Sequence, residues 1–110
     1  MNFYFDKQGQ PITVEHAEYL LGDRDYCVIE KTPFMYNGEP VEVSTVWLCT
    51  NHNFTNHGPP VIFETMVFGG PMDEECFRYS SEKEAREGHA QIVHELANRA
   101  AKIKEQEREQ

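Results

Sequence analysis

The sequence predicts an α+β fold, in which an antiparallel sheet of about four to five strands carries a short N-terminal helix and a long C-terminal helix packed on it. Three observations predict this class. Apolar residues alternate with a period of two from Val41 to Thr50 and again from Val61 to Phe68, as expected for strands. The dipeptide Asn37-Gly38 is typical of a tight hairpin turn, because both central residues need positive φ. Apolar residues recur at helical spacing after Ser81.

The N-terminal third contains the short helix and two of the predicted strands. We expect a strand over Phe3–Asp6, then a turn at Gly9. Thr13 is a suitable N-cap for a helix that ends near Gly22, since Val14, Ala17 and Leu20 recur at helical spacing. The polar residues 23–25 then form a connector, and a strand runs over Tyr26–Phe34.

The two central strands carry large apolar side chains on both faces. Trp47 and Phe63 fall on one face, and Met66 and Phe68 fall on the other. In an antiparallel sheet with one solvent-exposed face, apolar and polar residues should alternate strictly along each strand. One long helix covers one face, so we expect a homodimer with the second face or an edge strand at the interface. The alternative is that the N-terminal strand and helix fold over the second face completely.

The C-terminal part begins with a breaker and a short strand. Gly69-Gly70-Pro71 interrupts the chain, and Cys76–Tyr79 is the last predicted strand. Ser81 and Glu84 form a capping box at the start of the longest helix. Its apolar stripe consists of Ala85, His89, Ile92, Val93, Leu96, Ala97, Ala100 and Ile103. Gly88 should weaken this helix by about 1 kcal/mol relative to Ala. We expect one domain over residues 1–104 and a polar tail over residues 105–110.

Charge and composition exclude several classes of function. The chain of 110 residues has a net charge of −9, and residues 1–80 carry 12 acidic but only 4 basic side chains. This acidity argues against direct nucleic-acid binding, which needs basic groups. It is compatible with simple solubility or with docking on a basic host protein. No run is apolar enough to span a membrane, and the N-terminus lacks signal-peptide features, so we expect a cytoplasmic protein.

The central hairpin and its flanks resemble a family of small uncharacterised phage and prophage proteins from actinobacteria and their phages. The matching residues are Pro11-Ile12-Thr13, Asp25-Tyr26, Ser44-Thr45-Val46-Trp47-Leu48, His52, Phe54, Pro59-Pro60, Ile62-Phe63-Glu64-Thr65-Met66-Val67-Phe68-Gly69, Arg78-Tyr79-Ser80, Glu84-Ala85 and Gly88-His89. The family pattern has Gly-Leu-Asp where this chain has Cys49-Thr50-Asn51, which removes an acid beside His52. The resemblance implies a phage-associated origin and no established activity.

The candidate binding residues lie mainly in the connection between the two central strands. They are His52, Asn53, Phe54, His57 and Glu64. Loops carry function more often than strands do. Glu64 is a charge within an apolar strand, and a solvent-facing or rim carboxylate is the alternative interpretation. Cys49, His52 and His57 offer thiolate and imidazole ligands for zinc, although their spacing fits no standard zinc signature. His89 lies on the apolar stripe, as a hydrogen-bonded core histidine would.

These observations predict a non-enzymatic, phage-type accessory protein that acts through protein–protein interaction, with inhibition of a host factor through the acidic surface as one outcome. Its partner would be a host or phage protein, and no cofactor, catalytic residue, nucleic acid or membrane is expected. The alternative is a small-molecule- or metal-binding protein, with or without an enzymatic activity, that uses the loop of His52 and His57. The sequence contains no nucleophile elbow, phosphate-binding loop or HExxH motif.

Overall fold

A computed structural model describes residues 3–55 and 57–109 and confirms the α+β class. The main sheet has four antiparallel strands in the order β3–β4–β5–β6, formed by β3 (Val28–Tyr36), β4 (Glu39–Trp47), β5 (Phe63–Phe68) and β6 (Cys76–Tyr79). A separate two-stranded sheet pairs β1 (Tyr4–Phe5) with β2 (Pro11–Ile12). The helices are α1 (Val14–Leu21), α2 (Arg24–Cys27) and α3 (Glu82–Arg108), and a 3₁₀ turn covers Gly70–Met72.

The N-terminal elements differ in detail from the prediction. The connector and the first residues of the expected strand at Tyr26 form helix α2 instead, because the Asp23 side chain accepts a hydrogen bond from the Tyr26 N–H and caps that turn. Strand β3 therefore starts only at Val28. Strand β1 does not join the main sheet, and it pairs with β2, which the sequence did not predict. The predicted N-cap is confirmed, since the Thr13 hydroxyl accepts from the His16 N–H at 3.2 Å.

Helix α3 covers one face of the main sheet, here called the inner face. The predicted capping box is present: the Ser81 hydroxyl accepts from the Glu84 N–H at 3.1 Å. Leu96 is fully buried, and it belongs to a core cluster with Val41, Val43, Val67, Met72 and Ile92. The stripe is buried only as far as Leu96, because Ala97 is exposed and Ala100 and Ile103 are half-buried. The helix continues to Arg108 with exposed side chains from residue 104, and the predicted tail end at residue 110 lies outside the described residues.

The opposite face of the sheet, here called the outer face, is not covered by another element of the described chain. By register and alternation it carries Lys31, Pro33, Met35, Pro40, Glu42, Ser44, Val46, Glu64, Met66, Phe68, Cys76 and Arg78. Met35 is 62% exposed and Phe68 is 47% exposed. The N-terminal segment packs instead at one end of the sheet, where Ala17 and Leu20 join Trp47 and Ile62 in the second core cluster. The N-terminal segment therefore does not cover the outer face completely, and the homodimer stays a prediction.

Gly88 has a packing role that its helix propensity does not reveal. A Cβ at this position would collide with the ring and hydroxyl of Tyr79. The missing side chain lets strand β6 approach α3 closely. Among residues 3–55 and 57–109, no helix has the length and the apolar composition needed to cross a bilayer.

Candidate functional site

The loop between β4 and β5 is held together by two asparagine side chains. The Asn51 Oδ1 accepts hydrogen bonds of 2.8 Å from the N–H groups of Asn53 and Val61, which ties the two ends of the loop together. The Asn53 Nδ2 donates to the carbonyl of His57 at 2.7 Å. Such local bonds are typical of asparagine in turns. The loop is thus stabilised by hydrogen bonds of its own side chains. Asn53 takes part in these bonds and is also a candidate contact residue.

The loop presents His52 and Phe54 side by side. Their ring centroids lie 6.2 Å apart with an interplanar angle of 62°. Phe54 is 86% exposed, and the His52 Nε2 lies 3.2 Å from the Thr50 hydroxyl. An exposed aromatic ring beside an imidazole can contact a partner or stack on a planar ligand. His57 is also exposed, although the bond described above uses its backbone carbonyl and not its ring.

Glu64, the fifth candidate, has a different partner. Its Oε2 accepts from the Arg78 Nε at 3.1 Å, across the β5–β6 pair on the outer face, and its side chain is only 15% exposed. The carboxylate is therefore paired and mostly covered. The other four candidates share one loop, whereas the Glu64 side chain lies on the outer face of the sheet and is engaged by Arg78.

The metal alternative has no cluster to support it within the described part of the chain. Residues 3–55 and 57–109 contain no group of three or more His, Cys, Asp and Glu side chains placed to hold a metal ion. Cys49 is 1% exposed and packs in the core cluster at the end of the sheet. Burial raises the pKa of its thiol, which disfavours the thiolate that zinc needs.

His89 is a buried histidine with both ring nitrogens engaged. Its Nδ1 lies 2.7 Å from the Thr45 hydroxyl and its Nε2 lies 2.8 Å from the Thr32 hydroxyl. Thr45 also bonds to the hydroxyl of Thr65 on the next strand. His89 is 1% exposed, so its ring is not open to the protein surface. The prediction of a hydrogen-bonded core histidine is confirmed, and the network ties α3 to three strands.

The surface described by the structure contains shallow depressions, two of which have the following linings. The larger, of about 590 Å³, lies beside α1 and α2 and is lined by Glu18, Tyr19, Gly22, Asp23, Arg24 and Asp25. The other, of about 370 Å³, lies at one end of the outer face and is lined by Pro33, Pro40, Val41, Glu42, Phe68 and Gly69. We call the second one the Phe68 groove. The sequence analysis missed it, although the excess of apolar residues on the second sheet face was the signal that could have indicated it.

A comparison with protein-family models, with curated proteins and with solved structures finds no match for this chain.

Proposed function

We propose that this is a non-enzymatic accessory protein that acts by binding another protein through the outer face of its sheet. The observation that supports this proposal is the one-sided packing of the sheet: α3 covers the inner face, while Met35 and Phe68 stay 62% and 47% exposed on the outer face. Apolar groups gathered on one surface usually mark an interaction site. A phage-associated origin and action in the host cytoplasm are part of this proposal, and they rest on the sequence resemblance and composition.

The charge of the sheet-bearing body favours a protein partner over a nucleic acid. Residues 1–80 carry 12 acidic and 4 basic side chains, so phosphate groups are repelled. A basic host protein is attracted by the same field, and complementary charge raises association rates and selects partners. Inhibition of that host protein is the consequence we propose.

The test is purification of the tagged chain from a bacterial host lysate, followed by reconstitution with each captured protein in pure form. We expect a complex of defined stoichiometry by light scattering, and we expect it to weaken as salt rises, because exposed charges are screened. A Tyr19→Ser variant is the control for the loss of an exposed aromatic side chain, since Tyr19 is 77% exposed on α1, away from the sheet. It should form the same complex as the wild type. If no captured protein forms a defined complex with the wild-type chain, the proposal is wrong.

The homodimer predicted from the sequence is tested on the same samples. Light scattering of the purified chain at micromolar concentration distinguishes a dimer from a monomer. A dimer that Met66→Asp converts to monomer would assign the outer face to self-association, because Met66 is half-buried in the middle of that face. A monomer mass for the wild type would leave the outer face free for another protein.

The alternative is a small-molecule- or metal-binding protein that uses the loop between β4 and β5. The observation that favours it is the loop's own hydrogen bonding, which holds His52 and Phe54 beside each other at the surface. Metal analysis of the purified protein separates the two proposals. Stoichiometric zinc or nickel that survives dialysis, and that is lost in His52→Ala, would support the alternative and contradict the first proposal in its plain form.

A further inference from the structure

The Phe68 groove combines apolar walls with a single carboxylate. Phe68 and Glu42 lie directly opposite each other on β5 and β4, and Pro33 lies opposite Glu42 on β3. The rings of Pro33, Pro40 and Phe68 supply apolar surface to its lining. Met35, which pairs with Pro40, extends this apolar surface toward the β3–β4 turn. The groove can therefore receive an apolar side chain that lies next to a positive charge.

Close contacts and restricted φ angles restrain the backbone around the groove. Gly69 has a φ of 88°, and a Cβ there would collide with the carbonyl oxygen of Pro40, so only glycine fits between β4 and β5 at this point. The Asp73 carboxylate accepts from the Gly69 N–H at 2.7 Å and fixes the end of β5. The pyrrolidine rings of Pro33 and Pro40 restrict φ on the other side. A preformed groove binds without the entropic cost of ordering its own walls.

Acidic residues are frequent at the end of the sheet at which the groove lies. Glu39 and Glu42 belong to β4, and Asp73, Glu74 and Glu75 belong to the turn between β5 and β6. Backbone bonds place the acidic turn against the strand: the Glu74 N–H donates to the Val67 carbonyl at 2.8 Å, and the Val67 N–H donates to the Glu75 carbonyl at 3.1 Å. Lys31 is the cation of the outer face nearest to Glu42, with Nζ 3.9 Å from Oε1 and both side chains well exposed. An exposed ion pair of this kind contributes little to stability, so a cation of a partner protein can replace Lys31 at the Glu42 carboxylate.

We propose that the Phe68 groove is the docking site for a segment of a partner protein that presents one apolar side chain flanked by Lys or Arg. This inference rests on the proposed function and names the chemistry of the partner. The apolar side chain packs on Phe68 and the two prolines, and the flanking cation replaces Lys31 at Glu42. Nucleic acids and anionic membranes are repelled by the same carboxylates. A second copy docked groove to groove would bring the Glu42 carboxylates of both copies together, and this like-charge repulsion disfavours it.

The test uses defined synthetic peptides as probes. The first peptide has one Phe flanked by Arg and Lys. In the second peptide Ser replaces the Phe, and in the third peptide Glu replaces the basic residues. We expect the first peptide to shift the amide resonances of Val41, Glu42 and Gly69, and we expect the other two to leave them unchanged. The affinity should fall by about tenfold or more in Phe68→Ala and in Glu42→Gln, and it should not change in Tyr19→Ser, which removes an exposed ring from α1.

Three results would overturn the inference. The shifts could map to the loop between β4 and β5 or to α3, the acidic peptide could bind as well as the basic one, or Phe68→Ala and Glu42→Gln could bind the first peptide as the wild type does. Circular dichroism of both variants shows whether they stay folded, which we expect because Phe68 is 47% exposed and the Glu42 side chain is 40% exposed. Failure of the inference is separate from failure of the proposed function. A reconstituted complex that both groove variants still form would refute the groove and leave the proposed function intact, whereas a wild-type chain that forms no protein complex would refute the function.

Discussion

Protonation of His89 should make the fold less stable at mildly acidic pH. Burial lowers the pKa of this imidazole below its ordinary value of about 6.5. The Glu30 carboxylate, 3.6 Å from Nε2, opposes this effect, and the nearby Arg86 adds to it. The unfolded chain therefore takes up the proton at a higher pH than the folded chain does. The contribution of neutral His89 to the free energy of unfolding is fully present above about pH 6.5. It is lost as the pH drops from there toward the pKa of His89 in the folded state.

The size of this effect has a physical ceiling. One proton changes the free energy of unfolding by at most about 1.4 kcal/mol per pH unit. Urea unfolding measured between about pH 7.5 and 5.5 gives the slope directly. His89→Gln removes the titrating ring and keeps one donor and one acceptor for the Thr32 and Thr45 hydroxyls. We expect its slope to be flatter than that of the wild type over this range.

A matched substitution on the same helix controls for the loss of a histidine. His94 is exposed and its ring contacts the Asn98 side chain, so His94→Gln shows what the loss of an exposed histidine from α3 does to the slope by itself. Parallel stability curves for wild type and His89→Gln would refute the reasoning. If His89→Gln does not fold, an NMR titration of the His89 ring in the wild type decides, and a pKa at or above the ordinary value would refute it equally.

Three further substitutions test the packing and the loop. Leu96→Ala should cost on the order of 2–5 kcal/mol, because Leu96 is fully buried, whereas Leu21→Ala at a 52% exposed site should cost far less; equal melting temperatures would contradict this. Gly88→Ala should destabilise by about 1–3 kcal/mol through overlap with Tyr79, and Tyr79→Ala in the same chain should relieve that cost; a stabilised single variant would contradict the close approach. His52→Ala should keep the fold by circular dichroism and change binding or stability only locally, and global unfolding would make His52 a structural residue.

Local chemistry predicted those parts of the fold that short-range hydrogen bonds determine. Asn37 and Gly38 have φ values of 48° and 84°, which confirms that both turn residues are left-handed. Thr13 and Ser81 cap α1 and α3 as their sequence neighbours predicted. The capping of α2 by Asp23 uses the same chemistry, but the prediction gave more weight to the apolar alternation that begins at Tyr26. Helix α2 was missed because its residues overlap a strand-like pattern.

Long-range contacts explain what the sequence could not predict. Gly88 was expected only to weaken α3, yet its role depends on Tyr79, which lies on a strand that precedes the helix. The Phe68 groove joins residues of three strands around a glycine whose close neighbour, Pro40, is far away in sequence. Nothing in a single stretch of sequence encodes that approach. The candidate residues His52 to His57 were placed on one loop correctly, while the ion pair of Glu64 with Arg78 needed the sheet register.

The distribution of polar and apolar side chains over the two faces of the sheet is not the one that would make the fold most stable. The inner face buries the hydroxyls of Thr32, Thr45 and Thr65, and each of them has a hydrogen-bond partner, so their burial costs little free energy. The outer face instead leaves Met35 and Phe68 in water, where they contribute little to the core. A chain shaped only by its own folding would gain from the opposite arrangement, with apolar groups inside and hydroxyls outside. These exposed apolar side chains, together with Glu42 beside Phe68 and the acidic residues at the same end of the sheet, are what support our proposal of a basic protein partner.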